Sequence, residues 1–257
     1  GVKPDFSDDN LNTGMFLFSF GQRIYPEKQQ PAIKWMYNYY VSAGISSGTR
    51  GSNFYNIVYD KQDTKVVNPA KYNWTNFVDS TQGVVVLRNK FQDQNDIVFA
   101  FNTTATRVHG HQGFDNLGIR LIGLGNIWIV GAGRTGEVAG QSTLFPEGTI
   151  SEMKGEKGAT GNLVEYQLTG AGGYVIGEGS CMHVKNHTRQ VSLDYQPDVD
   201  VEALIRVDDT SENGRIWRIN TPEFNDVNIL EDGFLVTALN GSSMRAYVIE
   251  GLEKADV

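Results

Sequence analysis

Many short runs of β-branched and aromatic residues, cut by glycine-containing turns and never alternating with helices, constrain this chain more than any other feature. The runs fall at residues 83–88, 96–102, 118–122, 127–130, 163–168, 174–176, 189–195, 201–207, 215–219, 234–239 and 244–249. Alternating or continuous apolar runs of this length and composition read as strands. Asp232-Gly233 and Asn240-Gly241 read as hairpin turns, and Gly123-Leu124-Gly125 as a tight turn between the third and fourth runs. Parallel strands need long crossovers, usually helical, and the sequence offers none. The expectation is a mostly β chain, a large antiparallel β-sandwich with a short N-terminal helical segment. No repeat of fixed period is present.

The helical exception runs from Pro26 to Ala43. Pro31 suits a first turn, Ile33, Met36, Tyr37 and Tyr40 fall at helical spacing, and Gly44 is a natural stop. This helix either covers the end of a sheet or is the last helix of an α-helical domain. Residues 1–13 read as a polar tail, 45–76 as loop and short strand, and 154–161 as a flexible connection. The expected division is a polar tail and helix over 1–44, then the sandwich over 45–257. The chain opens on Gly1 rather than Met, which reads as a piece of something longer.

Lys and Arg number 22 against 30 Asp and Glu, a net charge of −8. That balance argues against a nucleic-acid partner, which needs a basic footprint. No apolar run reaches the roughly 20 residues that span a bilayer. Cys181 is the single cysteine, so no internal disulfide can form.

Chemistry concentrates between Arg107 and Arg134. His109 and His111 flank one glycine, Asp115 follows, and a glycine-punctuated apolar run leads on to Val130. On a strand, residues i and i+2 share a face, so both imidazoles would look the same way from the exposed edge of a sheet. The local surroundings are basic: Arg88, Lys90, Arg107, Arg120 and Arg134. Such a cluster can focus an anionic ligand despite the negative total. The pair admits three readings: histidines without a ligand, a metal site with Asp115 as third ligand, or a proton-transfer histidine facing a cleft. A cupin would need a second histidine soon after Pro146-Glu147-Gly148, and none follows until His183. His183 and His187 read as surface turn positions. The tyrosines crowding the first third (Tyr37, Tyr39, Tyr40, Tyr55, Tyr59 and Tyr72) serve either packing or a sugar-stacking face.

Several stretches taken in order resemble the C-terminal domain of heparinase II/III-type polysaccharide lyases. They are Val84-Val85-Val86-Leu87-Arg88, the strand Ile97 to Phe101, the His109/His111/Asp115 segment, Thr188-Arg189-Gln190-Val191, the strand Leu204 to Asp208, and Trp217 to Pro222. The resemblance covers roughly residues 78 to 250. It implies a β-sandwich joined to an upstream α/α-toroid, in a secreted or periplasmic enzyme that cleaves uronic-acid polysaccharides by β-elimination. It further implies that His109 faces the substrate and that His111 ligates a divalent metal such as zinc; beside it, Asp115 is the nearby candidate ligand and Arg107 or Arg134 the expected partner of the sugar carboxylate. Two positions depart from the pattern. The family's aspartate ligand falls on Gly131, and its histidine ligand on Gln141. The alternative is therefore a non-catalytic carbohydrate-binding or structural sandwich that has lost the metal. Catalytic groups of the toroid lie outside the chain, so the chain alone is expected to show little or no lyase activity.

Overall fold

The computed structural model describes residues 15–42, 52–103, 116–131, 140–148, 160–181 and 184–251. In chain order, three helices come first: α1 (Met15–Ile24), α2 (Gln30–Ser42) and α3 (Ser52–Tyr59), followed by a 3-10 turn at Pro69–Tyr72. Then come β1 (Asn76–Asp79), β2 (Val84–Arg88), β3 (Val98–Asn102), β4 (Gly118–Gly123), β5 (Asn126–Ile129), β6 (Leu144–Pro146) and β7 (Thr160–Thr169). The second half holds β8 (Gly172–Cys181), β9 (Val184–Asp194), β10 (Leu204–Thr210), β11 (Gly214–Trp217), β12 (Asp226–Leu230), β13 (Gly233–Thr237) and β14 (Ser243–Tyr247).

The strands form four antiparallel sheets, in the orders β1-β2-β3-β4-β5, β10-β9-β8-β7, β11-β6 and β12-β13-β14. Alternation explains why they stack. On β2, Val85 and Leu87 are buried while Val84, Val86 and Arg88 are half-buried, and the register carries that inward face onto Phe99, Phe101, Ile119 and Leu121. This face meets Val175, Val191 and Leu193 of the four-stranded sheet and Val236 of β13 in one apolar core. The chain is an antiparallel β-sandwich. Between β4 and β5 the register shifts, and the extra residue turns Trp128 inward, where its indole N–H donates to the Gly123 carbonyl at 2.9 Å.

The helices dock on this body through aromatic and polar ties. Trp35 of α2 meets Phe91 edge-on with ring centroids 5.8 Å apart, and Asn68 Nδ2 donates to the Phe91 carbonyl at 2.6 Å. The Lys34 ammonium is buried against the Asp60 carboxylate, and Lys61 Nζ donates to Gln30 Oε1 at 2.7 Å.

The mostly β architecture, the hairpins at Asp232-Gly233 and Asn240-Gly241, and the helix opening beside Pro31 all follow the sequence reading. Four readings need correction. Residues 45–76 contain the helix α3, not only loop and strand, and a further helix, α1, precedes the one read from the pattern. Phe20 and Tyr59 pack edge-on at 5.2 Å, so α1 and α3 support each other by tertiary contact that no local propensity encodes. Of the strand pair after Asp115 only β5 lies at the sheet's edge, because β4 sits between β3 and β5 and is buried along most of its length. His187 is not a surface turn residue, being 3% exposed on β9.

Candidate functional site

Arg107, His109, His111, Asp115 and Arg134 all lie outside the described residues. What the structure places is the residues that flank their segments. Thr103, buried at the end of β3, donates through both its N–H and Oγ1 to the Gly83 carbonyl, at 2.6 and 2.9 Å. Leu117 at the start of β4 donates its N–H to the Asn102 carbonyl at 2.7 Å. Residues 104–115 therefore leave and rejoin the sheet at neighbouring points. Residues 132–139 likewise leave after Gly131 and return at Gln141.

A buried charge network underlies the first of these gates. Asp209 of β10 receives Arg189 Nε at 2.7 Å and Nη2 at 2.8 Å, and pairs with His187 Nε2 at 2.7 Å. Arg189 Nη1 reaches across to the Leu117 carbonyl. The residues sit together because His187 and Arg189 alternate inward on β9, and the antiparallel register lays Asp209 against Arg189. Burial pushes the Asp209 carboxyl up, but the Arg189 guanidinium and the His187 hydrogen bond outweigh it, holding the group well below the usual carboxylate range. The neighbouring Asp208 pairs with exposed Arg206 instead. The motif that ends β10 thus works through its second aspartate. His187 borders a shallow depression of about 450 Å³ with Glu178, Asn162 and Asn186 around it, but its ring is committed to Asp209. The network holds Leu117, just after the segment bearing His109, and it offers no open acid or base of its own. Nothing in the spacing of His187 announced this role.

The second gate bears on two of the positions expected to hold the metal. Gly131 and Gln141 are neighbours in space: Ser142 Oγ donates to the Val130 carbonyl at 2.7 Å and accepts from the Asn220 N–H at 3.0 Å. Both positions face the same object, the Arg120 guanidinium. Arg120 is 1% exposed, and its Nη2 donates to Gln141 Oε1 at 3.1 Å. A Cβ added at Gly131 would lie 1.9 Å from Nη2 and 2.5 Å from Cζ. No carboxylate can stand at 131 while Arg120 holds this place. A divalent ion about 4 Å from a guanidinium would meet roughly 8 kcal/mol of repulsion at an effective dielectric of 20. Among the described residues, no three His, Cys, Asp or Glu side chains gather to hold a metal. The described positions 131 and 141 do not fit the ion that the sequence resemblance implied.

The basic neighbourhood is also thinner than its composition. Arg88 is locked to buried Asp96 (Nη2 to Oδ2, 2.8 Å), donates from Nε to the Lys90 carbonyl at 2.6 Å, and lies 4.4 Å over the Phe91 ring. Arg88 and Arg120 thus hold the fold, while Arg107 and Arg134 lie outside the described residues. Tyr39, stacked on Trp35 at 5.4 Å, has its pKa raised by burial, with Asp96 and Asp93 opposing the lowering effect of Arg88. Tyr59 packs on Phe20, and the Tyr72 ring is 5.9 Å from that of Trp74.

With this geometry in place, comparison with solved structures finds the architecture again. The chain aligns with a crystal structure of heparinase III at a TM-score of 0.55 and 14% identity, over 93% of this chain and 36% of that one. It aligns with heparan sulfate lyase HepC from Pedobacter heparinus at 0.54 and 12%, over 94% and 35% respectively. The fold is shared with heparinase III. This chain spans about a third of the length of those enzymes. No known family matches the sequence, and no curated protein sequence matches it.

Proposed function

We propose that this chain is the C-terminal β-sandwich domain of a heparinase II/III-type polysaccharide lyase, which cleaves uronic-acid-containing glycans by β-elimination together with an upstream α/α-toroid. The observation that carries the reading is the likeness to heparinase III along 93% of this chain. The order of the sequence motifs between residues 78 and 250 supports it independently. Residues 1–44 then belong to the remnant of the toroid and 45–257 to the sandwich. The protein is secreted or periplasmic, and none of its described helices is long and apolar enough to cross a membrane.

The chemistry asks for three things: neutralisation of the uronate carboxylate, removal of the C5 proton, and protonation of the leaving oxygen. Arg107 or Arg134 supplies the first, with His109 facing the sugar. The remaining groups come from the toroid, and no step passes through a metal. Because the chain carries a net charge of −8, its substrate is a uronate polymer of modest charge density rather than a heavily sulfated one.

A second reading, a carbohydrate-binding sandwich without catalysis, is favoured by one observation, the guanidinium packed against Gly131 and Gln141. Expression of the chain joined to its encoded upstream segment separates the two. The lyase reading expects unsaturated-uronate absorbance from the joined protein, a loss of about 100-fold or more on His109→Ala, and none from the chain alone. Glycan binding without any such absorbance would establish the binding module. Neither activity nor binding would remove both.

A further inference from the structure

We infer that Arg120 is a built-in cation that stands in for a metal ion in this sandwich, so that the domain assembles without a divalent metal. The inference rests on the lyase reading only for the correspondence of positions 131 and 141. The geometry is independent of it. Two separate parts of the chain converge on the Arg120 guanidinium. Residue 131 is a glycine whose added Cβ would fall 1.9 Å from Nη2, so the absence of a side chain there is a requirement of Arg120. Gln141 is fully buried and turns its Oε1 toward Nη2 at 3.1 Å. Its Nε2 is buried without a hydrogen-bond partner among the described residues. Flipping the amide would set donors against donors, so the cation dictates the orientation.

The backbone enforces the arrangement. Ile119 N–H donates to the Ser142 carbonyl at 3.3 Å, and Ser142 Oγ donates to the Val130 carbonyl at 2.7 Å, so Arg120, Gly131 and Gln141 are held by residues next to each in sequence. Val130 and Asn220 close the same corner through a β-bridge. Arg120 also donates from Nη1 to the Ile119 carbonyl at 2.9 Å. A metal site binds only when its ligands are deprotonated and empties in acid or in chelator. A guanidinium keeps its proton throughout the usual pH range, so this cation does neither.

The test uses the whole chain in two measurements. Protein incubated with zinc, manganese or calcium and then desalted is assayed by elemental analysis, and melted with and without EDTA. Less than about 0.1 metal per chain is expected, with a Tm change under about 1 °C, since only an ion bound to the native state raises Tm. Retention of close to one metal per chain, or a chelator-induced fall of more than about 5 °C, would overturn the inference. In the second measurement, Gly131→Ala is expected to lower Tm by about 4 °C or more in the wild-type background. In an Arg120→Ala background the same change should cost less than half of that. Equal Tm values for Gly131→Ala and wild type would overturn the inference as well. Metal content is read without any glycan, so failure here leaves the lyase reading standing, and a chain with no affinity for uronates can still pass.

Discussion

Asp209 gathers two guanidinium hydrogen bonds and an imidazole around one carboxylate that is almost out of solvent. Removing one partner from such a group strands the others in low dielectric, at a cost of about 3–5 kcal/mol. Asp209→Asn is therefore expected to lose about that much stability in chemical denaturation. The sign with pH follows from the depressed pKa. The unfolded carboxyl binds protons near its ordinary value of roughly 3.9 while the folded one does not. The contribution is complete above about pH 5 and drains away as pH falls toward and below that value. The wild type should lose stability in acid more steeply than Asp209→Asn, and parallel acid profiles would contradict the assignment. Asp96, with a 1% exposed side chain, accepts from Arg88 and from the Gln92 N–H at 2.8 Å. Asp96→Ala should cost about 2–4 kcal/mol, read in the same experiment. At this scale little was legible in advance. Gly131 and Gln141 stood out as departures, but their cause lies in Arg120. Within Gly118-Ile119-Arg120-Leu121-Ile122 nothing distinguishes a buried cation from one pointing into water. His187 and Asp209 are 22 residues apart and meet only through the β9–β10 register.

Strands fared better, for a physical reason. Where one face is buried and the other is not, period-two alternation is written into the chain, as on β2 and β9. Those strands, and the glycine turns between them, follow directly. The strands β1, β6 and β12 did not announce themselves. They span three to five residues, and on β1 (Asn76-Phe77-Val78-Asp79) the large Phe77 faces out, 55% exposed. The helix α3, Ser-Asn-Phe-Tyr-Asn-Ile-Val-Tyr, consists mostly of residues that favour strands in isolation. It is held by partners such as Phe20 and by Arg23 Nε, which donates to the Tyr59 carbonyl at 3.1 Å. The sheet-to-sheet contact makes its own prediction. A Cβ at Gly177 of β8 would sit 2.6 Å from Thr103 Cγ2 and 2.8 Å from Leu117 Cδ2, at the base of the segment bearing His109. Gly177→Ala is expected to destabilise by about 1–3 kcal/mol through overpacking. An unchanged denaturation midpoint would mean that the two sheets are not so closely apposed.

Taken whole, the molecule is a sandwich in which two buried charge clusters fix the roots of two segments. The Asp209 network holds the gate of residues 104–115, and Arg120 the gate of 132–139. On the proposed lyase reading, ligand contact would fall to residues of those two segments, and local cations there would let a chain of net charge −8 meet an acidic sugar. If Arg107 and Arg134 meet the sugar as proposed, their reach beyond about 10 Å is screened at moderate salt. Affinity for a uronate polymer should accordingly fall as salt rises. The direct measurement is equilibrium binding of the full chain to an unsulfated glucuronate polymer, with a neutral glucan as control and an Arg107→Ala/Arg134→Ala variant alongside. The account predicts saturable binding to the uronate polymer only, weakened about tenfold or more in the variant, the loss of roughly 1.4 kcal/mol or more. Equal affinity for the uronate and neutral polymers, or a variant that binds as well as the wild type, would contradict it.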